Sequence, residues 1–232
     1  MKNIVLGVSL MANLVIGFFL AWGVLFPLHF ASVVLGMGIN GVYYDQKTTQ
    51  FEMIETAPGG VVMLGDSITD GGQWSLLFPD ENMINFGIGG DTTTGVLNRI
   101  EQVTRAQPRQ VFIMIGTNDL SMNTLPEEVA ANVRQMVTTI ADGSPGTEVM
   151  IQSILPRGEK YVEKVRATNA LLVDVAEKTA ASYVDLSLLF ADENGVILNQ
   201  YSNDSLHLLG EGYRVWAKEI APTIGSEPAL RR

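Results

Sequence analysis

Cysteine is absent from the 232-residue chain, and histidine occurs only twice, at His29 and His207. The first absence excludes a disulfide framework, a thiolate nucleophile and a cysteine-ligated zinc. The second excludes a His-rich metal site, so the reading calls for no metal and no cofactor. Basic residues are also scarce: 15 Lys plus Arg stand against 25 Asp plus Glu, a net charge of −10. Nucleic acid is thereby excluded as a partner, because its phosphates need a basic face. Charged residues make up 17% of the chain and apolar ones 47%, the composition of a folded protein and not of a disordered one. The length fits one α/β domain with an appendage, not two full domains.

Formal charge is missing altogether between Lys2 and Asp45. Within that gap, residues 4–26 form an apolar run broken only by Ser9 and Asn13. As a helix the run would measure about 34 Å, enough to cross a hydrocarbon core of about 30 Å. Residues 1–40 are therefore expected to be a membrane anchor or signal segment. The run exceeds the apolar stretch of a signal peptide, and no Ala-x-Ala site follows it, which favours an anchor over a cleaved leader. Lys2 and the α-amino group place the start in the cytoplasm and the body on the extracytoplasmic side. Cleavage would give a secreted protein, and a buried core helix is the remaining reading. Residues 41–57 read as a tether, 58–226 as the catalytic domain and 227–232 as a tail.

Short apolar runs stopped by glycine recur through the body: Val61–Leu64 before Gly65, Met83–Phe86 before Gly87, and Val111–Ile115 before Gly116. Glu148–Ile151 and a weaker Ser182–Leu186 follow. Such runs suit strands buried on both faces of a parallel sheet. Helical patterns lie between and after them, at Thr94–Ala106, Pro126–Ala141, Tyr161–Ala181 and Gly210–Ile220. The alternation predicts a three-layer α/β/α sandwich with a mainly parallel, about five-stranded, flavodoxin-like sheet, preceded by the N-terminal apolar helix. Ligands of such sheets bind beyond the carboxyl ends of the strands.

Four segments at those positions carry chemistry-bearing residues. Gly65-Asp66-Ser67-Ile68-Thr69 follows the first strand and offers either a nucleophile or a helix N-cap. Thr69 departs from the Gly-x-Ser-x-Gly elbow, which argues against the α/β-hydrolase fold but not against a serine nucleophile. Gly87-Ile88-Gly89-Gly90-Asp91-Thr92 can present backbone amides to an anion or form a ligand-free turn. It is not a dinucleotide fingerprint, since Thr92 stands where the third glycine belongs. In Gly116-Thr117-Asn118-Asp119 the Asn118 amide can serve an oxyanion hole or an Asx-turn. Asp204-Ser205-Leu206-His207 contains the only histidine of the body, with a carboxylate three residues earlier that can fix its tautomer.

Together, in this order, the four segments resemble the four blocks of the SGNH hydrolases, also called the GDSL esterase/lipase family. The stretch Asn85-Phe86-Gly87-Ile88-Gly89-Gly90-Asp91-Thr92-Thr93 resembles the branch of platelet-activating-factor acetylhydrolase catalytic subunits and bacterial acylhydrolases. The resemblance implies that Ser67 is the nucleophile, His207 the general base and Asp204 its orienting carboxylate. It implies an oxyanion hole made by the amides of Ser67 and Gly90 and the side chain of Asn118. Asp66 is read as a supporting residue that organises the Ser67 turn. The expected activity is hydrolysis of carboxylic esters, short-chain acyl or lysolipid-type, through an acyl-enzyme on Ser67. The alternatives are O-acetyl removal from carbohydrate or cell-wall glycan by the same triad and, further off, a non-catalytic membrane-tethered binding module. Expected contacts are a small-molecule ester and, through residues 4–26, the membrane. Gly71–Asp80 and Leu120–Leu125 are candidate pocket walls, with Trp74 and Phe78 as candidate apolar contacts.

Overall fold

The computed structural model describes residues 41–231. The expected membrane span at residues 4–26 lies outside them. Among the described residues, no helix is long and apolar enough to cross a membrane.

Five parallel strands form the sheet: β1 (Val61–Gly65), β2 (Met83–Gly87), β3 (Gln110–Met114), β4 (Glu148–Gln152) and β5 (Ser182–Val184). Their order is β2-β1-β3-β4-β5, the doubly wound arrangement of flavodoxin-like folds. Each strand is within two residues of the apolar run that predicts it.

Strand side chains alternate between two cores. Val62, Leu64, Val111 and Ile113 point into one, beneath α4 (Thr93–Asn98), α5 (Ile100–Arg105), α7 (Pro126–Gly143) and α8 (Val162–Glu177). Val61, Met63, Phe112 and Met114 point into the other, against α3 (Trp74–Leu77), α9 (Ser187–Phe190) and α10 (Gly210–Ile224). Burial on both faces explains why the strands read as unbroken apolar runs. Trp74 and Phe78 belong to the second core, at 1% and 0% exposure, and do not line a pocket as expected. Trp74 meets Trp216 edge to face at 4.7 Å, and its indole nitrogen donates to the Thr69 carbonyl. The apolar side chains those two segments do expose are Leu76, Met122 and Leu125.

Two helices depart from their expected bounds. The predicted Thr94–Ala106 helix is two, α4 and α5, because Arg99 leaves helical geometry at φ −122°, ψ 11°. The final helix runs on through Pro222 and stops at Gly225, whose φ of +79° is the left-handed C-terminal turn that glycine accepts without strain.

The segment read as a tether is not one. Val42–Met53 is a helix, α1, docked on the domain. Its sequence is polar and carries no clear apolar stripe, so tertiary contacts and not amphipathicity hold it. Phe51 is buried against Phe86, with ring centroids 4.7 Å apart. The Tyr44 hydroxyl donates to the Gly95 carbonyl at 2.7 Å. Tyr43 Oη and Lys47 Nζ both donate to the Asp70 carboxylate, at 2.7 and 2.9 Å. Asp70 is the last residue of α2 (Ser67–Asp70), so α1 is latched to the helix that begins at Ser67.

If α1 is integral to the domain, a chain beginning at residue 41 folds. Phe51→Ala in that chain should lower the unfolding free energy by about 3 kcal/mol, the order expected for emptying an aromatic core site. Urea denaturation checks it, and a loss below about 1 kcal/mol would return α1 to the status of a tether.

Candidate active site

The sheet register places three of the four segments together. Gly65 aligns with Gly87 on one side and Met114 on the other, so β1, β2 and β3 end level. The loops that leave them emerge side by side. Gly87 permits this closeness: a Cβ there would sit 2.2 Å from the Asp70 amide nitrogen.

At the start of α2 the N-cap is Asp66, whose carboxylate accepts from the Ile68 amide at 3.0 Å. Ser67 is therefore the first helical residue and has no capping duty. Its hydroxyl lies 3.0 Å from His207 Nε2. On the far side of the ring, His207 Nδ1 lies 2.7 Å from Asp204 Oδ2. An ionised carboxylate can only accept, so Nδ1 carries the proton, Nε2 is the acceptor, and Ser67 donates to it. The two bonds join four atoms, Ser67 Oγ, His207 Nε2, His207 Nδ1 and Asp204 Oδ2, in one line.

Asp204 is fixed as firmly as it fixes the histidine. Its Oδ1 accepts from the amides of Leu206 and His207 at 2.9 and 2.8 Å and from Ser202 Oγ at 3.2 Å. Partial burial alone would raise its pKa. The bond from the His207 ring and those two amides outweigh burial and bring it down to about 2. Asp204 thus stays ionised through the whole range in which an imidazole titrates. The three-residue spacing seen in the sequence is what allows one carboxylate to hold both the backbone and the ring of His207.

On the other side of Ser67, Gly90 adopts φ +77°, a left-handed turn that a side chain would strain. Asn118 sits in α6 (Thr117–Ser121), half-buried, and its Nδ2 donates to the Asp91 carbonyl at 2.8 Å. That bond uses one of two N–H groups and leaves the other for a ligand. Gly90 sits in the turn closed by the bond from the Asp91 amide to the Ile88 carbonyl, at 3.1 Å, whereas the bond from Asn118 runs to that neighbouring loop and not to its own backbone as in an Asx-turn.

Several residues that hold this arrangement escape sequence reasoning. Arg99 is buried and pairs with buried Asp91, Nε to Oδ2 at 2.9 Å, while Nη2 donates to the Gly65 carbonyl at 3.2 Å. Asp119 accepts from the Thr93 amide at 3.0 and 3.2 Å and from its hydroxyl at 2.6 Å, and Asn132 donates to that hydroxyl. The only sequence signal for either pair is an acid in a glycine-rich block; its partner could not be found from spacing.

The four segments thus come together, with Ser67, His207 and Asp204 in one hydrogen-bonded line. The chain belongs to the GDSL-like lipase/acylhydrolase family, whose profile residues 63–215 match, and it is a hydrolase of that class. It is similar to the platelet-activating factor acetylhydrolase IB subunit alpha2 of Rattus norvegicus, 33% identical over 170 residues that cover 69% of this chain and 73% of the relative. The alpha1 subunit of Bos taurus is 31% identical over 163 residues, covering 66% and 69%. A crystallised GDSL-like lipase from Bacteroides thetaiotaomicron superposes with a TM-score of 0.69 at 26% identity, covering 78% of this chain and 97% of its own.

Asp66 offers a test of the site's electrostatics. Burial raises its pKa to about 7; the bond from the Ile68 amide only partly offsets this, and the Asp91 charge adds to the rise. In the unfolded chain Asp66 ionises near pH 4, so between about pH 4 and 7 unfolding releases its proton. Stability from this group is therefore present below pH 4 and falls as pH rises to about 7. Asp66→Asn keeps an acceptor for Ile68 and removes the titration. The melting temperature of the variant relative to wild type should climb from pH 4 to 7 and level off above; a difference independent of pH would refute the buried neutral acid.

Proposed function

We propose that the protein hydrolyses carboxylic esters through an acyl-enzyme on Ser67, with His207 as general base and then general acid and Asp204 as its orienting carboxylate. What carries the reading is the unbroken line Ser67 Oγ, His207 Nε2, His207 Nδ1, Asp204 Oδ2, with steps of 3.0 and 2.7 Å. As the Ser67 oxygen attacks the carbonyl carbon, its proton passes to His207 Nε2. The carbonyl electron pair moves to oxygen, and the oxyanion is received by the Ser67 and Gly90 amides and the free N–H of Asn118. Collapse breaks the ester C–O bond, and the leaving alcohol takes the proton from His207. Water then repeats the sequence and releases the acid, so atoms and protons balance.

The substrate reading is an ester with a short acyl chain or of lysolipid type. The relatives are named as acetylhydrolases of platelet-activating factor, which supports the short acyl group. The uncharged run at residues 4–26 supports attachment to a membrane, with the catalytic body on the extracytoplasmic side.

Ser67→Ala should abolish ester hydrolysis with the fold intact, and a fluorophosphonate should label wild type and spare the variant. Label on another serine would overturn the assignment. His207→Ala should cost nearly as much, and Asp204→Asn less, because the base remains. Asn118→Ala should lower kcat by about 10²–10³ with little change in KM, the pattern of a donor that strengthens at the transition state. Membrane attachment is tested by fractionation: the full chain should sediment with membranes and a chain beginning at residue 41 should not, while both hydrolyse a soluble ester. A mature N-terminus near residue 31 or 40 would replace the anchor by a cleaved leader.

A further inference from the structure

Beside the site stands a cation that the ester chemistry does not use. Arg157 follows β4 in a loop that bridges the two halves of the cleft. Its Nη1 donates to the Thr117 carbonyl at 3.0 Å and to Ser121 Oγ at 2.6 Å, on the helix that carries Asn118. The next residue, Gly158, faces the Ser205 side chain, 3.7 Å from where its own Cβ would lie, inside the segment that carries Asp204 and His207. The guanidinium carbon lies over the Tyr161 ring, 3.7 Å from its centroid. Nε is buried with no hydrogen-bond partner. Among the described residues Arg157 makes no ion pair with a carboxylate, although the chain carries ten more acids than bases. Other arginines on the same body do find one: Arg99 with Asp91, Arg109 with Glu81, Arg166 with Glu163 and Arg214 with Glu211. Lys160 adds a second positive charge 4.9 Å from the Tyr161 ring.

A half-buried guanidinium pays a desolvation cost that a partner normally repays. Here no carboxylate partner is found among the described residues, Nη1 and the Tyr161 ring hold the group in place, and Nη2 donates to no acceptor among those residues. We infer that Arg157 is a specificity residue that receives a negatively charged group, phosphate or carboxylate, carried by the ester close to its scissile carbonyl. This deepens the esterase reading and rests on it. An arginine fork suits such oxygens, and the Tyr161 ring beneath the guanidinium helps to keep it in place. Burial lowers the Arg157 pKa; Tyr161 opposes the fall most, and the Asp66 and Asp204 charges oppose it further.

The test compares matched esters on the intact protein: glycerol acetate against its 3-phosphate, and methyl butyrate against monomethyl succinate. Wild type should favour at least one charged member by about tenfold or more in kcat/KM, with the preference shrinking as salt is added. The phosphate pair reads the alcohol side of the ester and the succinate pair the acyl side. Arg157→Met should collapse that preference through KM, by about 10- to 100-fold, the range of a charge-assisted hydrogen bond. Arg157→Lys should keep part of it, as a charge without the fork. Absence of any charged preference in wild type overturns the inference without recourse to a variant. Equal losses of kcat on charged and neutral members also overturn it, and would make Arg157 a positioning residue for the Asn118 helix. Failure of the esterase reading looks different: Ser67→Ala would then still turn over both members of a pair.

Discussion

One buried ion pair ties the catalytic loops to each other. Arg99 and Asp91, at 2% and 0% side-chain exposure, meet at 2.8–2.9 Å between the sheet and α4. Arg99 also takes the carbonyl of Gly65, two residues before Ser67, and the carbonyl of Asp91 takes the amide of Asn118. The nucleophile's turn, the glycine loop and the asparagine helix therefore share a single node. Removing one member of such a pair would strand a charge in the interior, typically at a cost of 3–5 kcal/mol. Its value is geometric: an oxyanion hole works only if its donors are in place before the charge develops, so that no reorganisation is needed at the moment of reaction. The break between α4 and α5 has the same origin, because Arg99 gives up helical geometry where its side chain turns into the pair.

Around that node the site is asymmetric. The oxyanion side is held by long-range polar bonds within the folded sheet, and by Asp119 gripping the first residue of α4. The acid–base side is nearly self-contained: Asp204 organises its own hairpin of chain, Ser202 to His207, through four bonds to groups within three residues. A local unit can keep the imidazole oriented while the half-exposed loop around it accommodates substrate. Ser67 sits between the two, on a one-turn helix capped by a carboxylate whose pKa burial raises to about 7.

The legible parts of the molecule are those encoded by neighbours in sequence. Strands buried on two faces announce themselves as apolar runs, and glycine marks their ends because the loops must pass close to one another. His207 and Asp204 stood out for a related reason: the body holds no other histidine, and a carboxylate lies three residues before it. What could not be read is carried by contacts between distant residues of ordinary type. Arg99 looks like any surface residue of an amphipathic stretch until Asp91 and Gly65 are beside it. Helix α1 has almost no pattern of its own, and its place depends on Asp70, Gly95 and Phe86, which lie far along the chain. Trp74 and Phe78, which looked like pocket walls, fill the core that α3, α9 and α10 build against β1 and β3.

The docking of α1 also fixes where the preceding chain must start. Tyr43 packs against Gly89, next to the glycine that turns toward the oxyanion, and its hydroxyl is held by Asp70 at the end of the Ser67 helix. Residue 41 therefore leaves the body at the rim of the cleft and not at its back. Fifteen residues, 27–41, separate that point from the uncharged run, and fully extended they reach at most about 50 Å. Those fifteen residues set the greatest distance at which the body can stand from the apolar run.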